Sequence, residues 1–220
     1  MKGKIITLEG GDGAGKETQT KLLQERLEND GYKVKRMSFP RYDKFWGLLI
    51  REHLDGLHGG LTDINPYFFG SLYAFDRMGA IEDINEALEE GMIVLNDRYV
   101  EANFIHQGAK YEGERRRSLV DFFWNYEHNL LKIPQSDLVI FMDLDPEWAA
   151  KAMQAQGRSL DINESDLEYQ IRVRETGLEL SKIYGWQVVN CLNSIGTERL
   201  SREELSDTIY STVKHYLTGK

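Results

Sequence analysis

Short apolar runs alternate with longer stretches of helical periodicity along the whole chain. Residues 4–8 read as a short buried strand, and residues 16–30 as an amphipathic helix with Leu22, Leu23 and Leu27 on one side, stopped by Gly31. Residues 33–39 predict a second strand, ended by Pro40, and residues 66–90 one long helix with proline near its start and Gly91 past its end. A third strand is expected at 92–96, followed by helical patterns at 102–107 and 115–131. The continuous apolar run 138–142 suits a strand covered on both faces. Residues 146–155 and 166–184 predict helices on either side of a polar stretch, 186–189 a last strand and 202–216 a closing helix. Strands alternating with helices imply an α/β fold with three layers and a mainly parallel sheet of five strands. Glycine and proline only punctuate the periodic segments, and there are no internal repeats, so residues 1–220 are expected to form a single domain.

Charge narrows the choice of partner. Against 36 Asp+Glu the chain has 27 Lys+Arg, a formal net charge of −9. Duplex nucleic acid and anionic lipid need a positive field to displace counterions, so neither nucleic acid nor membrane is an expected partner. The triplet Arg115-Arg116-Arg117, flanked by Glu112, Glu114 and Asp121, reads as a solvated helix end. Only four or five apolar residues precede Glu9, too short a run for a signal segment, and no apolar run approaches the roughly 20 residues that span a bilayer. The single cysteine, Cys191, forms no intramolecular disulfide and has no cationic neighbour in sequence, which suits a reducing, cytoplasmic setting and a structural role.

Candidate chemistry begins where the first strand ends. Gly10-Gly11-Asp12-Gly13-Ala14-Gly15-Lys16 fits the pattern of a phosphate loop, in which backbone N–H groups and a helix N-terminus wrap an anion while lysine reaches its outer oxygens. Its position between a strand and a helix is what that mechanism requires. Where the full motif has a Mg²⁺-ligating Ser or Thr, this chain has Glu17, with Thr18 one residue later. A carboxylate there repels phosphate if it turns inward, so Glu17 is expected to point outward, leaving Asp12 and Asp97 as candidate metal carboxylates.

Four further segments extend the pattern in order: Phe39-Pro40-Arg41-Tyr42, Leu72-Tyr73-Ala74-Phe75-Asp76-Arg77, Asp97-Arg98-Tyr99-Val100-Glu101-Ala102-Asn103, and the polar stretch around Gly157-Arg158. Together with the phosphate loop they resemble the thymidylate kinase family over roughly residues 4–190. The resemblance implies a nucleoside-monophosphate-kinase fold, ATP as donor, dTMP as acceptor, Mg²⁺ as cofactor, and a homodimer. It implies that Gly10 through Thr18 bind ATP, and that Arg41, Tyr42, Tyr73, Arg77, Asp97, Arg98, Asn103, His106 and Gln107 bind dTMP. In the family's pattern the aromatic at Tyr73 stacks on thymine and the arginine at Arg77 donates to the base O4, which disfavours cytosine because its amino group would oppose another donor. Phe39, Phe68 and Phe69 are candidates for the pocket wall. Two departures stand out: Ala102 replaces a common serine, and His106 a common tyrosine packed on the deoxyribose. Lys16, Arg98 and Asp12 are expected to be catalytic. Residues 155–166 are expected to form a lid whose Arg158 supplies a further catalytic cation, with Arg172 and Arg174 as alternatives; these two, at i and i+2, cannot both face the site. A kinase for another nucleoside monophosphate (dUMP, AMP or CMP) and a non-catalytic nucleotide-binding switch are the other readings.

Overall fold

A computed structural model describes residues 2–60, 63–155 and 161–219, except for the side chains of residues 152–155. Five strands, β1 (Lys4–Gly10), β2 (Val34–Ser38), β3 (Ile93–Asp97), β4 (Leu138–Asp143) and β5 (Gln187–Asn190), form one sheet in the order β2-β3-β1-β4-β5. Every pairing is parallel. The three-layer expectation holds, with the sheet wholly parallel. Alternate residues of the strands feed two cores: Ile5, Val94 and Phe141 pack on one face, and Ile6, Leu8, Leu95, Ile140 and Met142 on the other.

The flanking helices are α1 (Lys16–Asn29), α2 (Phe45–Leu54), α3 (Pro66–Met78), α4 (Ile81–Glu89), α5 (Val100–Gly108), α6 (Gly113–Trp124), α7 (Pro146–Ala155), α8 (Leu167–Tyr184) and α9 (Arg202–Thr218). None of the described helices is long and apolar enough to cross a membrane. Three departures from the sequence pattern bear on the site. Helix α2 is absent from the predicted elements. The single helix expected over 66–90 is two, because the Arg41 guanidinium takes the carbonyls of Asp76 and Gly79 that a continuing helix would use. The helix expected through 131 changes after Trp124 into a π-helical turn, Asn125–Leu130. Such turns recur at functional sites, and this one aims Glu127 inward.

The chain leaves β1 toward β2 and β3, then crosses to β4 on the other side of β1. In parallel α/β sheets, ligands bind outside the carboxyl ends of the strands beside such a switch. Leu8 of β1 is in register with Asp97 of β3, so the phosphate loop and the Asp97-Arg98-Tyr99 segment leave the sheet side by side.

Candidate active site

The phosphate loop turns through Gly13 and Gly15 at φ of 75° and 95°, conformations that cost a residue with a Cβ roughly 1 kcal/mol or more. Lys16 opens α1 and folds back over the loop, donating from Nζ to the carbonyls of Gly10 at 3.0 Å and Gly11 at 2.8 Å. Burial, then the nearby Arg98, pushes its ammonium down to about 8. Glu17 turns outward: its carboxylate pairs with Lys21 at 2.5 Å and its side chain is 69% exposed. Thr18 is exposed on the rim.

Arg98 sits at the end of β3 with φ 63°, a left-handed conformation rare outside glycine. Hydrogen bonds on both sides impose it: the Arg98 N–H donates to the Leu8 carbonyl at 3.1 Å, and the Tyr99 N–H to Glu9 Oε1 at 2.8 Å. The guanidinium then reaches back across β1, donating to Asp12 Oδ1 at 2.5 Å, His106 Nε2 at 2.7 Å and the Gly10 carbonyl at 3.3 Å. Burial works against the Asp12 carboxylate, yet Arg98 and then Lys16 hold it well below the usual range. Because Arg98 donates to Nε2, the His106 proton sits on Nδ1, 3.3 Å from the Tyr169 hydroxyl, which itself donates to the His106 carbonyl at 3.0 Å. Burial and the adjacent Arg98 push His106 down to about 3, so the ring is neutral at neutral pH.

Two cavities meet at this arginine. The larger, of about 1150 Å³, runs from Asp97 and Lys16 past Thr18 to Arg199 and Leu205. The smaller is walled by Phe69 and Tyr73 of α3, by Asn103, His106 and Gln107 of α5, and by Lys110 in the turn that follows α5. Asp12, Arg98, Tyr42 and Phe39 line both. Phe68, by contrast, is 61% exposed and faces away.

Arg77 lies at the wall of the small cavity and is 1% exposed. Its Nε donates to Glu127 Oε2 at 2.6 Å, Nη2 to Glu127 Oε1 at 2.8 Å and Nη1 to the Tyr99 carbonyl at 3.1 Å. Three of the five guanidinium N–H groups are thereby used, and the other two have no partner among the described residues. Asn103 Nδ2 also donates to Glu127 Oε1, at 2.8 Å, and to the Gly70 carbonyl at 2.9 Å. Burial pushes the Glu127 carboxyl up while Arg77 pulls it down, and three donors on its two oxygens hold it as the carboxylate.

With this geometry in view, residues 8–202 match the sequence model of a family described as thymidylate kinase. The chain belongs to the thymidylate kinase family. A probable thymidylate kinase of Pyrococcus horikoshii is 32% identical over 224 aligned positions that span both chains in full. A thymidylate kinase of Exiguobacterium is 34% identical over 212 positions, 95% of each chain. One of Mycobacterium tuberculosis is 30% identical over 188 positions, 83% of this chain and 87% of that protein.

In this thymidylate kinase family member the fold gathers Asp12, Lys16, Tyr42, Tyr73, Arg77, Asp97, Arg98, Asn103, His106 and Gln107 around the two cavities. Arg41 is not among them. Its side chain turns to the end of α3, where Nε donates to Asp76 Oδ1 at 3.1 Å and the backbone N–H donates to Oδ2 at 2.8 Å. Arg158 and the centre of the expected lid lie outside the described residues. At the lid's end, the Asp161 carboxylate accepts the N–H groups of Asn163 and Glu164, both at 2.8 Å, and the Ile162 N–H donates to the Leu54 carbonyl of α2. Neither alternative arginine reaches the cavities: Arg172 faces Glu168 at 3.8 Å, and Arg174 ties α8 to β4 through Asp143 and Asp145. Arg116 is more than a solvated charge, since it joins Glu179 and the carbonyls of Gly108 and Tyr111. Cys191 is buried, and burial pushes its thiol up to about 12, which fits the structural role. Sequence reading missed Glu127, Tyr169, Gln170 and Arg199. Gln170 donates to Asp12 Oδ2 at 3.0 Å, from 158 residues away, and no local pattern marks it.

Proposed function

We propose that the protein transfers the terminal phosphoryl group of ATP to the phosphate of dTMP, giving ADP and dTDP. The observation that carries the reading is the shared wall: Arg98 and Asp12 line both the phosphate-loop cleft and the small aromatic cavity, so two phosphate-bearing ligands meet at one guanidinium. In the transfer, an oxygen of the acceptor phosphate forms a bond to the donor's terminal phosphorus as the bond to the bridging oxygen breaks, and ADP carries that electron pair away. The attacking oxygen is already ionised, so no general base is required. Positioning and charge neutralisation supply the rate. Lys16 exchanges its loop carbonyls for donor phosphate oxygens, and Arg98 exchanges Asp12 for phosphate as charge spreads toward the acceptor. Arg158 remains the candidate for a further cation from the lid.

The acceptor base is read by the small cavity. Tyr73 and Phe69 offer aromatic faces, and the two spare N–H groups of Arg77 suit a carbonyl oxygen such as thymine O4 and oppose the amino group of cytosine. His106, neutral and half-buried beside Arg98, stands where the acceptor sugar is expected.

The donor set fits Mg²⁺. Asp97 lines the large cleft, and its carboxylate accepts no hydrogen bond from the described residues. Asp97 would hold the ion together with phosphate oxygens and water, and Asp12, bonded to Arg98 and Gln170, would become available to it where Arg98 turns to phosphate. Bound there, the ion would offset the charge of the two phosphate chains. A homodimer is part of the same reading. Aromatic rings in edge-to-face, tilted or stacked contact run across α2, α3, α6 and the π-turn, from Phe45 and Trp46 through Phe75 and Tyr126 to Phe122 and Tyr67, with Phe45 66% exposed. Such a strip suits burial against a second copy.

The test is ADP release from ATP and Mg²⁺ in the presence of dTMP, dUMP, dCMP, dGMP, AMP or the ribonucleotide of thymine. The expected outcome is ADP formation that requires a monophosphate and is fastest with dTMP. Faster turnover of another monophosphate, or ATP binding with no ADP released on any addition, overturns the reading.

A further inference from the structure

The loop that follows β5 closes on itself as a small hairpin. Leu192 and Arg199 form an antiparallel bridge, the Asn193 N–H donates to the Glu198 carbonyl at 2.8 Å, and the Leu200 N–H to the Cys191 carbonyl at 2.9 Å. The hairpin presents Arg199, half-buried, to the underside of the phosphate loop. A single atom, Nη2, donates to the carbonyls of both Gly13 and Ala14, each at 3.0 Å. The approach is close: a Cβ added at Gly15 would lie 3.3 Å from that nitrogen. Among the described residues Arg199 pairs with no carboxylate, so its charge is spent on the loop and on the cleft it lines.

The geometry has a consequence for the opposite side of the loop. A trans peptide points its carbonyl and its N–H in opposite directions, and the chain's cis bond at Phe39-Pro40 lies elsewhere. Drawing the carbonyls of Gly13 and Ala14 toward Arg199 therefore turns the N–H groups of Ala14 and Gly15 away from it. Those two N–H groups donate to nothing among the described residues, while the carbonyls of Gly10 and Gly11 are held by Lys16 and that of Gly15 by the Gln19 N–H. Successive free N–H groups facing one way make an anion cradle.

We propose that Arg199 is a positioning residue for the phosphate loop: it orients the Ala14 and Gly15 N–H groups for a polyphosphate chain by holding the carbonyls behind them. The proposal deepens the ATP reading and rests on it only for the identity of the ligand. It differs from a contact with the donor's base or sugar, because the effect passes through the loop.

Calorimetric titration of the whole protein and of Arg199→Ala and Arg199→Lys, with ATP, inorganic tripolyphosphate and dTMP in turn, tests it. In Arg199→Ala, ATP and tripolyphosphate weaken together by about tenfold or more, the loss expected for charge-assisted hydrogen bonds, while dTMP stays within about twofold. Arg199→Lys recovers part of the loss for both polyphosphates. Tripolyphosphate affinity unchanged in Arg199→Ala, a loss confined to ATP, or a parallel loss for dTMP each overturns the proposal. Because these are binding measurements, a wild-type protein that holds tripolyphosphate yet releases no ADP with dTMP refutes the kinase reading and leaves the role of Arg199 standing.

Discussion

Glu127→Gln is the most informative single substitution, because one carboxylate organises Arg77 and Asn103, the two residues of the small cavity proposed to read the base. Glu127 is 0% exposed and its partner Arg77 1%. The substitution keeps shape and volume, removes the charge, and turns an amide N–H₂ toward a guanidinium or toward Asn103, both of which are donors. Breaking one side of a buried ion pair costs about 3–5 kcal/mol, because the remaining charge is left without compensation. For a chain of this size that corresponds to a fall in Tm of roughly 6–20 °C. The loss should also reach the ligand: an Arg77 no longer held by two bonds swings among rotamers, and its two spare N–H groups lose their aim.

Urea unfolding and calorimetry give the stability, and initial rates with dTMP and dCMP give the specificity. A double replacement, Arg77→Met with Glu127→Leu, separates the two effects. Removing both charges together avoids the uncompensated one, so stability should return to within about 1–2 kcal/mol of wild type. Preference for dTMP over dCMP should stay lost. If Glu127→Gln costs less than about 1 kcal/mol, the pair is not the buried, ionised one its geometry indicates. If the double variant keeps full preference for dTMP, Arg77 does not read the base and the reasoning fails.

Four further outcomes follow. Lys16→Ala and Arg98→Ala each lower turnover by about two to four orders of magnitude with the far-ultraviolet spectrum intact, and a wild-type rate in either would remove it from the mechanism. Glu17→Ala stays within about threefold of wild type at all Mg²⁺ concentrations, since its carboxylate is exposed and paired with Lys21; a deep loss confined to low Mg²⁺ would make it a metal ligand. Arg41→Ala strands Asp76, which is 0% exposed, and lowers stability by about 3 kcal/mol while changing kcat little; a large loss of kcat at unchanged Tm would return Arg41 to the substrate site. His106 has a folded-state pKa of about 3 against an ordinary 6.5, so between those values the unfolded chain holds a proton that the folded one lacks, and stability falls as pH drops through that window. His106→Gln removes this share, and its stability should decline less steeply than wild type from pH 6.5 to 4; equal slopes would show that the ring titrates normally.

What the sequence made legible was local in the chain. The phosphate loop is seven consecutive residues between a strand and a helix, and the Asp97-Arg98 pair follows directly on an apolar strand, so periodicity alone brings both to the carboxyl edge of one sheet. The outward turn of Glu17 was expected from the repulsion between a carboxylate and phosphate, and the structure adds its partner, Lys21 at 2.5 Å. What could not be read locally came from distance along the chain. Arg41 lies in a motif that suggested substrate, but the fold sets it 35 residues away against Asp76 and the end of α3, and that contact also breaks the long helix the periodicity predicted. Arg199 reaches the loop from 186 residues away, and Glu127 reaches Arg77 across 50 residues from a π-turn no hydrophobic pattern specifies.

The placement of the charges also bears on how a protein with a net charge of −9 holds two phosphate-bearing ligands. The cleft is neutralised from within: Arg98 rests on Asp12, and Lys16 on its own loop's carbonyls. On the proposed reading binding is an exchange of partners, and affinity is set by the difference between phosphate and these internal acceptors. Lys16 shows the cost of the resting state most clearly. Burial, followed by the repulsion of Arg98, holds its ammonium down to about 8. A phosphate brought against it adds the anion that this environment lacks and favours the charged form. Asp12 stands between the two cations, bonded to Arg98 through one oxygen and to Gln170 through the other, and is the acceptor that a phosphate would replace on the proposed reading. The acidic excess of the chain is thus compatible with an anion site, because the few buried cations that meet the ligands are insulated from it by one carboxylate, Asp12, placed where the ligand itself is proposed to sit.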